Sequence, residues 1–247
     1  MQDLIKDLLL SGVHWELSND TIGFSEMISQ KTPEVNRTRT ISTVVPPIAP
    51  IVPMSIDTAV AMASRPTTID SLQRMILEFN HPLRGGASNV VLPVAANNPN
   101  GVMIITDIPS SDDDSCGQIL SGRAGDLMDK MLNAIEMSRD TVSISPLLFW
   151  RTPGGRTPSR LELDLSRPFV NRFIELMEPR VIITLGTVAA LEIAGVDLIH
   201  NHGAETVLPN NVHVFSIYHP NYIILKPDTK RDVWTCLQNV QNLLKNL

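Results

Sequence analysis

The sequence predicts an α/β fold: three layers, α/β/α, around a central, mainly parallel four-stranded sheet. Three observations lead there. Val102-Met103-Ile104-Ile105, Val181-Ile182-Ile183-Thr184-Leu185-Gly186 and Val212-His213-Val214-Phe215-Ser216-Ile217 are short, rich in β-branched residues and apolar enough to be covered on both faces, and residues 142–149 form a fourth β-rich run. Segments with apolar residues at helical spacing separate these runs. Alternation of this kind produces a largely parallel sheet with helices on both faces.

In chain order, residues 3–17 read as a helix, because Leu4, Ile5, Leu8, Leu9 and Val13 recur at helical spacing. Residues 18–66 read as a proline-rich linker. The tract Val44-Val45-Pro46-Pro47-Ile48-Ala49-Pro50-Ile51-Val52-Pro53 suits extended chain better than helix or strand. Its plain interpretation is a tether, and its sharper one a docking motif for a partner. The ordered domain is expected over 67–247. It opens on Thr67 or Thr68 as the cap of a helix with Leu72, Met75, Ile76 and Phe79 on its apolar face. Further helices are predicted over 127–135, 169–177, 187–194 and 230–247, between and after the four strands.

Bulk properties narrow the classes of function. The 247 residues are 43% hydrophobic and 19% charged, enough to bury a core. Aromatics are only 4%, so Leu, Ile, Val and Met must fill it. A net charge of -6 argues against a protein that coats nucleic acid non-specifically, while leaving room for a local basic strip. The two cysteines, Cys116 and Cys236, cannot supply a four-thiolate cluster or a Cys-only zinc site. No metal site is expected. The N-terminus lacks a secretory pattern and no apolar run reaches the roughly 20 residues a membrane span needs, so a cytoplasmic protein without membrane attachment is expected.

Parallel sheets bind ligands at the carboxyl ends of their strands. That points to the loops after Ile105, Phe149, Gly186 and Ile217. The first holds Thr106-Asp107-Ile108-Pro109-Ser110, then Asp112-Asp113-Asp114 and Ser121-Gly122-Arg123-Ala124-Gly125. The second holds Trp150-Arg151-Thr152-Pro153-Gly154-Gly155-Arg156-Thr157-Pro158, and the last Tyr218-His219-Pro220-Asn221-Tyr222-Ile223-Ile224-Leu225-Lys226-Pro227. In order and spacing these three loops resemble those of the family 4 uracil-DNA glycosylases, over roughly residues 67–247. The leading helix and proline-rich segment resemble the extension of alphaproteobacterial members.

The resemblance implies hydrolysis of the bond between uracil, or another damaged base, and deoxyribose in DNA, as the first step of base excision repair. The target nucleotide must leave the stack, and negative charge must be stabilised on the departing base. His219 is the candidate donor to that base and Asp107 the candidate carboxylate, one carbon shorter than the family glutamate. The simpler roles are a strand-end cap for His219 and a turn or helix cap for Asp107. Thr106, Ile108, Leu120, Ser145 and Pro146 are the candidate base pocket. Pro109, Ser110, Pro220 and Asn221 are candidates for loops pinching the DNA backbone. Arg123 and Arg156, with Arg151, Lys226, Lys230 and Arg231, are candidates for a basic strip; ordinary solvated surface is the alternative for each. The expected partner is uracil-containing DNA, bound by a monomer.

Four departures from the family pattern stand out. Leu120 replaces the base-stacking phenylalanine. Pro146 replaces the asparagine that reads the edge of uracil, and proline has no amide to do so. Thr106 and Ser110 stand for two glycines, which narrows the pocket mouth. The cluster-ligating cysteines are missing, with Trp150 at one position and no cysteine around Asn80-His81-Pro82, so no cofactor is expected. The alternative function is a glycosylase fold that has lost catalysis and binds nucleic acid or protein. A generic nucleotide-binding α/β domain is a third reading, and no Gly-rich phosphate loop supports it.

Overall fold

The computed structural model describes residues 55–246. The helix expected over 3–17 and the proline-rich tract lie outside the described residues. Helix α1 (Ile56–Ala63) starts behind Ser55, whose hydroxyl accepts the Thr58 amide at 3.1 Å. The linker boundary at residue 66 is therefore corrected, because residues 56–63 are helical. Helix α2 (Ile69–Glu78) begins on a reciprocal cap between Thr68 and Ser71 and buries Leu72 and Ile76.

Five strands follow, not four. They are β1 (Val102–Thr106), β2 (Val142–Pro146), β3 (Val181–Leu185), β4 (Glu205–Val207) and β5 (His213–Ile217), in the order β2-β1-β3-β5-β4. The four expected strands are parallel, while β4 pairs antiparallel with β5 at the edge. A three-residue strand whose outer two residues are exposed carries no hydrophobic run, so no apolar pattern marks it. The β2 edge is partly covered by a bridge between Val94 and Ile144.

Helices α3 (Ser111–Cys116), α4 (Gly122–Ala134), α5 (Arg160–Met177), α6 (Thr187–Ala189, continued as a π-type turn over Ala190–Ala194), α7 (Pro220–Leu225) and α8 (Lys230–Asn246) complete the chain. Helix α5 begins nine residues before the expected 169. Pro168 sits inside it and reads as a break, but the Ser159–Glu162 capping box upstream sets the true start.

The period of two along the strands divides the core. Met103, Ile105, Ile182 and Val214 face Leu72, Ile76, Leu163, Phe169 and Phe173 on one side. Val102, Ile104, Ile183 and Phe215 face Met128, Leu132, Val233, Leu237 and Val240 on the other. Helices α1, α2 and α5 thus cover one face, and α4 and α8 the other. In register, Thr106 lies opposite both Pro146 and Leu185, and Leu185 opposite Ile217. The four loops named from the sequence therefore leave one end of the sheet together. No helix among the described residues is long and apolar enough to cross a membrane.

Candidate active site

An open cleft of about 330 Å³ lies at that end, lined by Asp107, Ile108, Pro109, Ser110, Ser111, Arg151, Gly155, His219 and Asn221. The structure brings His219 and Asp107, predicted from loops 112 residues apart, to one concavity.

His219 follows β5 and caps α7. Pro220 occupies the first helical position, where its fixed φ suits helix entry and its missing N–H costs nothing. The Asn221 amide then donates to His219 Nδ1 at 3.2 Å. An Nδ1 that accepts places the ring proton on Nε2. Nε2 lies 3.0 Å from Thr106 Oγ1 and donates to it. Burial pushes the imidazole pKa down to about 4, against the opposing pull of the Asp113 carboxylate. At neutral pH the ring is uncharged and carries one directed N–H.

Asp107 follows β1. Its Oδ1 accepts the Ala189 amide at 2.6 Å, so the carboxylate caps the turn that starts α6. Burial pushes its pKa up to about 6, although the amides of Ala189, Val188 and Thr187 favour the charge. Gly186 makes this placement possible. It has φ +102, and a Cβ there would stand 2.1 Å from Asp107 Oδ2. The glycine that ends β3 is thus explained by the carboxylate lying across it, a relation no local pattern reveals. Asp107 both caps a turn and lines the cleft.

The acidic stretch beyond it is structural. Asp113 accepts the Ser121 amide at 2.6 Å and the Ser110 amide at 2.9 Å, and Asp114 accepts those of Ser88 and Asn89. These bonds fold the loop that carries Pro109 and Ser110. Gly125 has no room for a side chain, because a Cβ would lie 1.9 Å from the Leu120 carbonyl oxygen.

Several predicted pocket residues lie elsewhere. Leu120 is in the core at 2% exposure and does not line the cleft. Its backbone is left-handed (φ 52), and Arg139 binds its carbonyl at 2.6 Å, which turns the side chain inward. Ser145 is fully buried, and its hydroxyl donates to the Pro146 carbonyl. Ser143 accepts the Ala96 amide instead. Pro146 ends β2 beside Thr106 and is buried too. Thr106 stands behind His219 at 2% exposure.

The basic strip is also redistributed. Arg123 is exposed and shares a separate shallow groove with Asp126, Lys130, Ile224 and Lys230. Arg156 does not line the cleft; its guanidinium forms a two-pronged pair with Glu162, at 2.9 and 2.5 Å. Glu162 is therefore held well below the usual range, at about 2, chiefly by that hydrogen bond and then by the Ser159 cap. Lys226 lies over the Tyr222 ring. Among the described residues, Arg151 is the only cationic one lining the cleft. Sequence reasoning named it only as part of the strip and missed Ser111 and Gly155.

Replacing Glu162 by Ala is expected to cost about 1–2 kcal/mol at pH 7, the upper range for a lost helix cap. The carboxyl is depressed in the folded state, so its contribution is full above about 4.5 and fades as pH falls toward about 2. Urea unfolding of wild type and Glu162→Ala should show the gap between them closing across that window. A gap constant with pH would assign the loss to packing alone.

The iron–sulfur cluster implied by the resemblance does not fit this chain. At the expected position His81 stacks on Trp150 with ring centroids 4.8 Å apart and planes 9° apart, and the Ser166 hydroxyl lies 3.4 Å from His81 Nε2. Cys236 is buried in the core across the sheet, and Cys116 is exposed by α3. Among the described residues no three or more His, Cys, Asp or Glu side chains gather as a metal site.

Comparison with known proteins agrees with this architecture. The family profile described as the Uracil DNA glycosylase superfamily matches residues 94–241, more than half of the chain. The type-4 uracil-DNA glycosylase of Pyrobaculum aerophilum is 34% identical over 90 residues, 36% of this chain and 46% of that protein. That of Archaeoglobus fulgidus is 27% identical over 150 residues, covering 57% of this chain and 75% of the relative. That of Thermotoga maritima is 27% identical over 146 residues, with 58% and 76% covered. The chain thus spans about half the length of the first of these relatives and three quarters of the other two.

Proposed function

Given that this chain belongs to the uracil DNA glycosylase superfamily, we propose that it hydrolyses the N-glycosidic bond of uracil in DNA, the opening step of base excision repair. One observation supports this above the others: a neutral histidine with a fixed Nε2–H and a carboxylate line the same cleft at the carboxyl end of a parallel sheet. The relatives' names point the same way.

In the reaction the bond between C1′ and the base nitrogen breaks, and its electron pair leaves with the base. Water adds to C1′ and its proton passes to the Asp107 carboxylate and on to solvent, from which the uracil anion takes up a proton. Nε2–H of His219 donates to the base carbonyl as negative charge collects there, without transferring its proton. Such a preorganised donor acts most strongly where water is excluded. The Asp107 carboxylate lies near the sugar, where it opposes the positive charge and accepts a hydrogen bond from the attacking water. Arg151 meets a flanking phosphate, as Arg side chains beside an extruded nucleotide do. Pro109, Ser110 and Asn221 border the cleft on two loops and contact the DNA backbone, whereas Pro220, expected among them, is buried at the first position of α7 and only sets the course of its loop.

The test is excision from an end-labelled single-stranded oligonucleotide containing one uracil, with a thymine control, followed by alkaline cleavage of the abasic site. Strand scission at uracil alone is the expected result. Intact strands after incubation with correctly folded protein would defeat the proposal. The pH dependence adds a second check. Asp107 must be ionised and titrates at about 6, whereas His219 stays neutral down to about 4. The rate should climb with pH through 6 to a plateau. Asp107→Asn should lower the plateau about a hundredfold, the lower range for a positioned acid–base group, and remove the limb. A limb that persists in Asp107→Asn would move the titrating group elsewhere.

A further inference from the structure

Resting on the glycosylase reading, we propose that the Thr106 hydroxyl is a latch on the His219 donor, and that its displacement by the carbonyl of the extruded base helps set the rate and base selectivity of excision.

The argument starts from hydrogen-bond capacity. The Asn221 amide fills Nδ1, so the neutral imidazole has a single N–H to give. In the DNA-free protein that N–H is committed to Thr106 Oγ1 at 3.0 Å. Thr106 is the last residue of β1, held in register between Pro146 and Leu185, and 2% exposed. Its backbone is therefore fixed, and only rotation of its side chain frees the donor. A glycine at this position would leave Nε2–H without this acceptor. A threonine forces any incoming carbonyl to compete with a hydroxyl already in place.

The competition has a defined size. Exchanging one neutral hydrogen bond for another of equal quality gains nothing, and the hydroxyl displaced must find a partner or go without. The net worth of one ordinary hydrogen bond corresponds to about a fivefold change in an equilibrium or a rate. A carbonyl that carries more negative charge competes better, because charged acceptors make stronger bonds than neutral ones. The latch therefore favours bases whose carbonyl gains most charge as the bond breaks, and slows excision of all others.

The test uses Thr106→Ala, which removes hydroxyl and methyl, and Thr106→Ser, which keeps the hydroxyl. Two quantities are measured on the full chain: the exchange rate of the His219 Nε2 proton by NMR, and single-turnover uracil excision. The expected result is faster proton exchange and about fivefold faster excision in Thr106→Ala, with Thr106→Ser close to wild type in both. Unchanged proton exchange in Thr106→Ala would show that no latch holds the donor. Slower excision in Thr106→Ala, with Thr106→Ser retaining activity, would overturn the latch in favour of a hydroxyl that itself hands a hydrogen bond to the base. Wild-type excision with no change in Thr106→Ala would sink the latch and leave the glycosylase reading standing. Absence of excision by all three folded proteins would sink both.

Discussion

His219→Ala is expected to lose uracil excision by about 10²–10³-fold, the usual effect of removing one preorganised donor from a site of developing negative charge. The expectation rests on three properties of this residue. Its tautomer is set by the Asn221 amide, so no proton has to move between the ring nitrogens before Nε2–H can donate. Its neutrality at physiological pH follows from burial, which pushes the pKa to about 4. Its position at the start of α7 fixes the ring between β1 and β5. The variant loses a helix cap as well, worth about 1 kcal/mol, so its melting temperature should fall by only a few degrees. The measurement pairs single-turnover excision with a thermal melt. A folded variant that cuts at the wild-type rate would show that another group stabilises the departing base. His219→Asn separates the two roles. Asn keeps an acceptor for the cap and a donor amide, but the amide is shorter, so stability should recover further than rate.

Trp150→Ala is expected to have the largest effect on stability, about 3–5 kcal/mol, as for a large aromatic removed from a core. Trp150 is 1% exposed. One face of the indole stacks on His81, and Phe149 meets it edge-on at 5.9 Å. Its Nε1–H is buried and has no hydrogen-bond partner among the described residues, so packing supplies the stabilisation and the N–H subtracts from it. Trp150→Phe tests this division. It keeps much of the ring contact and removes the unpaired N–H, so it should cost at least 2 kcal/mol less than Ala. Urea unfolding of the three proteins gives the comparison. Equal losses for Ala and Phe would mean that ring packing at this position supplies none of the stabilisation. The excision rate should fall in Trp150→Ala as well, because Arg151 and Gly155 reach the cleft from the loop that Trp150 anchors.

Much of the fold was legible in the sequence because it depends on local chemistry. Runs such as Val181-Ile182-Ile183 state their own burial, and the four strands they mark are parallel and adjacent. The exposed edge strand Glu205–Val207 has no such signature. The helix expected from 169 starts at Arg160 behind the cap at Ser159, since helix boundaries follow satisfied amides more closely than apolar spacing. His219 and Asp107 were named from the family resemblance of their loops, and they meet in one cleft because strand ends in a parallel sheet face one crevice.

By itself, then, the sequence determined the three-layer architecture, the four parallel strands and the loops that meet at one end of the sheet, all of which follow from periodicity and short motifs. Tertiary structure alone decided what each side chain does there. It turned Leu120 into the core, paired Arg156 with Glu162, laid Asp107 across Gly186 and closed the His219 donor on Thr106. The physical reason is that these outcomes depend on contacts between residues as far as 113 positions apart, where direction, burial and competition for a single proton decide the result, and none of these is encoded within one stretch of chain.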